Sequence, residues 1–418
     1  MKVLGQDVGV LANQLAALVL NVKSWFVSQY LPSWLRPRAP PAIAPGADRC
    51  VIVAGPGGLD QLQVVELKDG CVTVGYNVPP FKCPFATWSG SSDPSLVLVK
   101  VSHFSVNYAD VCIRWGLYES ALRYVGWPIV PGFDFSGTVL EAGPSSGFVK
   151  GDAVFGFSLF GAYSSKLLVP GRQLRKTPGN LSQVRAAGVP AVAATALHAV
   201  ALAGGWPCEL KTKNKAALIH SAAGGVGSML IQMCKIRGYS PIVAVVGSAH
   251  KMDFCRNLGA DEVIDKSSDD LWTRAKEISP SGYAAVFDAN GVETIAQSYE
   301  HTAMCGRLVL YGFHSNIPKA SQFLSPFEWV RMIGKMAQMP KFDPMAMVLE
   351  SKSVAGFNLS FFADEHELIE QYMQELINWI QEGSLRVPDV QLFSVSDISA
   401  AHQLIQSGKS VGKIVVAL

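Results

Sequence analysis

One loop constrains this 418-residue chain more than any other feature. Ser221-Ala-Ala-Gly224-Gly225-Val226-Gly227 stands directly after an apolar strand-like run and directly before a run with helical apolar period. Glycines there let the backbone turn tightly and approach a pyrophosphate, while a helix start presents unpaired N–H groups and the positive end of its dipole. Such a loop can also be a plain tight turn, so its setting decides. From residue 216 onward, strand-like runs near 216–220, 242–246, 262–264, 285–288 and 307–311 alternate with helix-like runs near 226–237, 249–258, 269–278 and 292–302. That alternation predicts an α/β fold with a doubly wound parallel sheet of Rossmann type and a dinucleotide on Ser221, Gly224, Gly225, Val226 and Gly227.

A loop selective for NAD carries an acid about 20 residues further on, at the end of the second strand, to hold the ribose 2′-OH. Here that point reads Val246-Gly247-Ser248-Ala249-His250-Lys251, without an acid. A hydroxyl, an imidazole and an ammonium suit a 2′-phosphate, so NADPH is the expected cofactor, with Ser248 and Lys251 among its partners. Ser248 as a helix cap and Lys251 as a solvated charge are the plainer readings, and both are compatible with this one. Asn290-Gly291 and Gly312-Phe313 follow the fourth and fifth strands, at the carboxyl edge where such sheets bind ligands.

The first half of the chain has a different texture. Between about residues 50 and 183, short β-like runs (96–101, 137–141, 153–157, 165–169) are separated by turns with Pro-Gly at Pro131-Gly132 and Pro170-Gly171, which predicts a β-rich lobe. The uncharged run 186–208 contains Gly188, Pro190, Thr195, His198 and Gly204 and is mostly alanine and valine, so it reads as a buried interdomain helix rather than a membrane span. After residue 354 short strand-like runs return with one long helical stretch near 365–381. The expected units are an extension at 1–48, a β-rich lobe at 49–185, a cofactor lobe at 186–353 and a closing segment at 354–418 that completes the β-rich lobe.

Residues 8–22 are uncharged but shorter than the ~20 residues that cross a bilayer. Val8, Leu11, Leu15, Leu18, Val22 and Trp25 recur at helical steps, giving one apolar face before a proline-rich linker. That face within residues 8–31 could lie on a membrane surface, serve in targeting or dock on its own protein. Charged residues make up only 16% of the chain, which leaves a thinly charged surface or one hidden by a dimer or membrane. A net charge of +2 without a basic block excludes an electrostatic footprint for nucleic acid. Eight scattered cysteines without a C-x-x-C pair point to reduced thiols in a cytosol-like, cytoplasmic setting and away from a disulfide framework or clustered zinc site.

Several stretches carry a family likeness. Val106-Asn107-Tyr108-Ala109-Asp110, Arg114-Trp115-Gly116-Leu117-Tyr118 and Pro131-Gly132-Phe133-Asp134-Phe135-Ser136-Gly137 resemble the front lobe of quinone oxidoreductases, the zinc-free branch of the medium-chain dehydrogenase/reductase superfamily. So do Gly151-Asp152-Ala-Val-Phe-Gly156, the 221–227 loop, Leu258-Gly-Ala-Asp-Glu-Val-Ile-Asp265 and the closing Val411-Gly412-Lys413-Ile414. Within that group, Val354-Ala-Gly-Phe-Asn-Leu359 and the acidic helical segment after it look most like the vesicle amine transport protein homologues.

This resemblance implies a GroES-like catalytic lobe, a cleft for the nicotinamide, and a homodimer. It also implies that no metal is bound, because zinc-containing relatives have Gly-His-Glu where this chain has Gly132-Phe133-Asp134 and a four-cysteine lobe that is missing here. By the same likeness Asn107 and Tyr118 face the nicotinamide, Tyr118 is the proton or hydrogen-bond donor, and Thr195 touches the nicotinamide amide. Cys112 stands where quinone reductases often have a second tyrosine; with no His or Lys beside it in sequence, it reads as an inert thiol. Asp110 and Arg114, four apart, read as a local ion pair. Three functions fit: an NADPH-dependent quinone or enone reductase, a membrane-peripheral lipid-binding or vesicle-trafficking protein that keeps the reductase fold, and a 2-enoyl thioester reductase.

Overall fold

The computed structural model describes residues 43–44, 46–67, 71–73, 93–204, 215–317, 326–362 and 365–418, with the short pieces 2–3, 6–7, 18–19 and 85–86. Most of the N-terminal amphipathic stretch and its proline-rich linker lie outside the described residues. Leu18 is described and packs against Trp115 and Trp329, while its neighbour Val19 is exposed.

The cofactor lobe is a six-stranded, wholly parallel sheet in the order Glu262–Asp265, Ile242–Val246, Ala217–Ile219, Tyr283–Asp288, Thr302–Leu310, Ser353–Gly356. Its central strands are apolar at nearly every position because helices cover both faces. Ile219, Ala244 and Phe287 point into one cluster, whereas Leu218, Val243, Val245 and Val286 point into the other. The reading of 216–311 as alternating strands and helices therefore holds, with two differences. The fifth strand starts at Thr302, not near 307, because Cys305 takes a positive φ of 61° and breaks the alternation in its first half. A sixth strand, Ser353–Gly356, joins the sheet, so the boundary expected between residues 353 and 354 cuts through an element of the cofactor lobe.

The other lobe is antiparallel around the eleven-residue strand Leu96–Val106, which pairs with Asp134–Ala142 on one side and Lys166–Pro170 on the other. At its far end Leu96–Val106 also pairs with the last strand, Lys413–Ala417, which in turn runs parallel to Val390–Ser394. The C-terminus completes the first lobe. This is the GroES-like arrangement expected from the sequence.

Helix Pro190–Leu202 joins the two lobes. Proline fits at its first turn, where the missing N–H has no helical partner, and its alanines allow close approach of neighbouring helices. It packs against Gly225–Ile236 and His366–Glu382, and nine of its residues are buried. The described part of the uncharged run 186–208 thus holds the interdomain helix that was read there. Among the described residues no helix is long and apolar enough to cross a membrane.

Candidate active site

Between the lobes lies a cleft of about 1580 Å³, and eight of the thirteen residues singled out from sequence line it: Asn107, Tyr118, Thr195, Ser221, Gly224, Val226, Gly227 and Phe313. The β-rich lobe contributes the first two and the interdomain helix the third. The remaining five come from the carboxyl edge of the parallel sheet.

The glycine loop is built by close packing. A Cβ on Gly227 would stand 2.6 Å from the Ala222 Cα and from the carbonyl oxygens of Ser221 and Ala222, so only hydrogen fits between helix and strand. Gly225 faces Val192 in the same way, at 2.9 Å, and does not line the cleft. Helix Gly225–Ile236 starts after Gly224 with no side-chain cap and no acid in its first turn. Its opening N–H groups and the positive end of its dipole suit a phosphate, which fits a dinucleotide. Ser221, held at a positive φ of 51°, donates its hydroxyl to Asn290 Oδ1 at 2.9 Å. Asn290 thus supports the loop from behind. Gly291, at φ 107°, leaves room for the Asn316 side chain. Sequence reading missed His314, whose ring bonds the Ala289 carbonyl at 2.8 Å and stands 3.5 Å from Ser221 Oγ.

The second-strand end differs in detail from the reading. Ser248 and Lys251 do not line the cleft. Lys251 is buried and its ammonium donates to the Gly408 carbonyl at 2.6 Å, so it is a clamp on the C-terminal helix rather than a solvated charge. Ser248 does not cap the following turn through its side chain. The cation beside this strand end is the exposed Lys266, whose Cε lies 3.9 Å from where a Gly247 Cβ would be. It follows the third strand by one residue, and that position carried no local motif.

Tyr118 donates its phenol to Asn358 Oδ1 at 3.1 Å, and the same oxygen accepts from the Ser360 amide and hydroxyl. Its ring meets Phe133 and Phe160 edge-on. Phe133, in the Gly132-Phe133-Asp134 run, therefore forms an aromatic wall of the cleft beside Tyr118. Burial pushes the Tyr118 phenol up to about 12, so it stays protonated at neutral pH. Asn358 sits in the Gly-Phe-Asn-Leu run already noted for family likeness, but nothing local marked it as a partner of Tyr118.

Asn107 stands on a buried polar floor. Its Nδ2 donates to Asp134 Oδ2 at 2.9 Å and its Oδ1 accepts from the Lys413 ammonium, which lies 3.4 Å from the same Asp134 oxygen. Asp134 also accepts from Ser105 Oγ at 2.7 Å and from the Ala191 amide at the start of the interdomain helix. The carboxylate is saturated, which is what allows it to be buried. Asp110 and Arg114 do not form the local pair read from their spacing. Asp110 accepts from the Asn107 and Gly132 amides, whereas Arg114 donates to the Gly57 carbonyl and Gln406. Both are fully buried, and each bonds other groups: Asp110 the amide of its own helix cap and that of Gly132, Arg114 a backbone carbonyl and a glutamine side chain from far along the chain. Cys112 lines the cleft with its thiol pushed up to about 12 by burial, the state of an inert sulfur. Among the described residues no cluster of three or more His, Cys, Asp or Glu side chains is placed to hold a metal ion.

Residues 93–179 match the alcohol dehydrogenase GroES-like domain family, and residues 225–379 match the zinc-binding dehydrogenase family. The mouse synaptic vesicle membrane protein VAT-1 homolog is 24% identical over 371 residues, covering 88% of this chain and 83% of its own. A probable quinone oxidoreductase of Leishmania amazonensis is 27% identical over 332 residues, covering 77% of this chain and 89% of its own. The solved Escherichia coli quinone oxidoreductase, complexed with NADPH, superposes with a TM-score of 0.70 at 22% identity, covering 88% of this chain and all of its own. With two lobes matched in order, a parallel sheet behind a glycine loop and a GroES-like front, the chain belongs to the medium-chain dehydrogenase/reductase superfamily, on its quinone oxidoreductase-like side.

Proposed function

We propose that the protein is an NADPH-dependent reductase of a quinone or an α,β-unsaturated carbonyl. The observation that carries this reading is the meeting, in one cleft, of an uncapped glycine-loop helix start and a protonated phenol. Similarity to a probable quinone oxidoreductase and to a quinone oxidoreductase solved with NADPH supports it.

Gly224, Val226 and Gly227 would hold the pyrophosphate at the helix start, Thr195 and Phe313 would flank the nicotinamide, and Lys266 would meet the 2′-phosphate. Bound there, the cofactor supplies a hydride. What this chain must add is a donor for the oxygen that gains charge, and Tyr118 is that donor. Its hydroxyl proton points at Asn358; a substrate oxygen entering the cleft competes with Asn358 for it, and Ser360 keeps Asn358 satisfied when it loses. Asn107, whose amide is bonded at both ends, acts as a positioning residue of the cleft floor rather than as a free donor. Phe133 and Phe160 exclude water beside Tyr118, which strengthens its hydrogen bond.

The test is oxidation of NADPH at 340 nm by the full-length protein with a panel of quinones, enones and enals. Turnover that Tyr118→Phe slows supports the reading. If NADPH binds and no member of the panel is reduced, the reductase reading is wrong.

A further inference from the structure

The cleft holds more than the dinucleotide site and the space beside Tyr118, since its lining also runs along a further apolar wall. Its volume of about 1580 Å³ exceeds the roughly 300–1,000 Å³ of most ligand pockets. One wall, far in sequence from the glycine loop, comes from helix Pro326–Ala337. Trp329 and Met332 are buried there against Val111 and Trp115 of the β-rich lobe. Ile333 and Met336 line the same cleft yet are 56% and 52% exposed. Apolar side chains left open inside a concavity mark a surface that an apolar partner covers, and methionine adapts to flexible chains.

A second observation is independent of the first. Trp329 is only 7% exposed, and its indole N–H has no hydrogen-bond partner among the described residues. Buried donors are nearly always paired, and Trp329 lines the cleft, so a small turn of its ring on binding would bring this covered donor to an acceptor oxygen of a ligand. Leu117 and Tyr118, one residue apart, connect this wall directly to the reducing centre.

We propose that this arm of the cleft receives the tail of the substrate: a flexible alkyl or acyl chain bearing one acceptor oxygen for Trp329, with the reducible carbonyl at Tyr118. The inference rests on the reductase reading of the same cleft and narrows it to long-tailed substrates. The acyl chain of a membrane lipid offers the same chemistry, so the test separates the two sources.

Two measurements on the full-length protein do so. The first follows NADPH oxidation with 2-alkenals and alkylated benzoquinones of increasing chain length. The second, which needs no turnover, follows quenching of tryptophan fluorescence by bromododecanoate, comparing wild type with Trp329→Phe. The tail site predicts that KM falls about threefold to fourfold per added methylene until the arm is full. It also predicts that this gradient flattens in Ile333→Asp, a change at a half-exposed position that the fold tolerates, and that the saturable part of the quenching disappears in Trp329→Phe. A flat KM series on substrates that are turned over would overturn the tail site and leave the reductase standing. Saturable quenching through Trp329 without reduction of any compound would overturn both and assign the arm to a lipid chain.

Discussion

The glycine loop at 221–227 and the polar floor under Asn107 serve one cleft but are built in opposite ways. The loop works through what it lacks: Gly227 has no side chain because Ala222 leaves no space for one, and Gly224 brings no cap to the helix start. The floor works through what it holds: Asn107, Asp134, Ser105 and Lys413 share their donors and acceptors so that a carboxylate and an ammonium can sit in the interior. An absence can be written in seven consecutive residues. A saturated network has to be gathered from wherever the chain returns, and Lys413 comes back to Asn107 from 306 residues away.

Substitutions can break each half of that contrast. The largest effect is expected at Gly227→Asp, which forces a charged side chain against backbone 2.6 Å away; NADPH binding, measured by calorimetry, should be lost. Next comes Lys413→Met, which leaves Asp134 buried without its cation and should lower the stability read from urea unfolding by about 3–5 kcal/mol. Adding Asp134→Asn to Lys413→Met should recover part of that loss. If the single change is harmless, the floor is not held by charge.

Tyr118→Phe should reduce kcat about 100-fold with little change in KM for NADPH, as the proposed role of the phenol toward the substrate oxygen rather than the cofactor loop requires. The phenol is pushed upward, to about 12, and is therefore protonated throughout the range below it. The rate should accordingly show no alkaline fall assignable to this group up to about pH 10, where an ordinary tyrosine would be half ionised. A fall near pH 10 that Tyr118→Phe abolishes would contradict its burial. The smallest effect is expected at Lys266→Ala, which should reduce the preference for NADPH over NADH by about tenfold in kcat/KM, while Ser248→Ala leaves it unchanged. The reverse result would return the 2′-phosphate to the position first read from the second strand.

The same contrast explains how far the sequence could be read. The parallel sheet was legible because strands buried on both faces are written as unbroken apolar runs such as Ile242–Val246. Its fifth strand was half hidden because Cys305 interrupts the pattern. Tyr118 and Asn107 were singled out through likeness to known sequences, but their hydrogen-bond partners Asn358, Asp134 and Lys413 belong to other segments and carry no local mark of the pairing. Lys251 shows the same limit: spacing located it near the second strand but could not show that it is buried and donates to the Gly408 carbonyl. Asp110 and Arg114 show the limit of helical spacing, since Asp110 turns to the amides of Asn107 and Gly132 and Arg114 to Gln406.

The pairing of Lys413–Ala417 with Leu96–Val106 also bears on how the protein is made. During synthesis the amino-terminal lobe emerges first, and domains commonly fold in that order. Here that lobe cannot finish: one edge of its longest strand stays open at residues 103–106, and Asn107 lacks the Lys413 ammonium, until residues 413–417 have left the ribosome. The parallel sheet, whose strands all lie between residues 217 and 356, can be complete while the β-rich lobe is still open. A chain clipped just before Lys413 would thus keep every strand of the parallel sheet while the polar floor under Asn107 lost its cation and the β-rich lobe lost an edge strand.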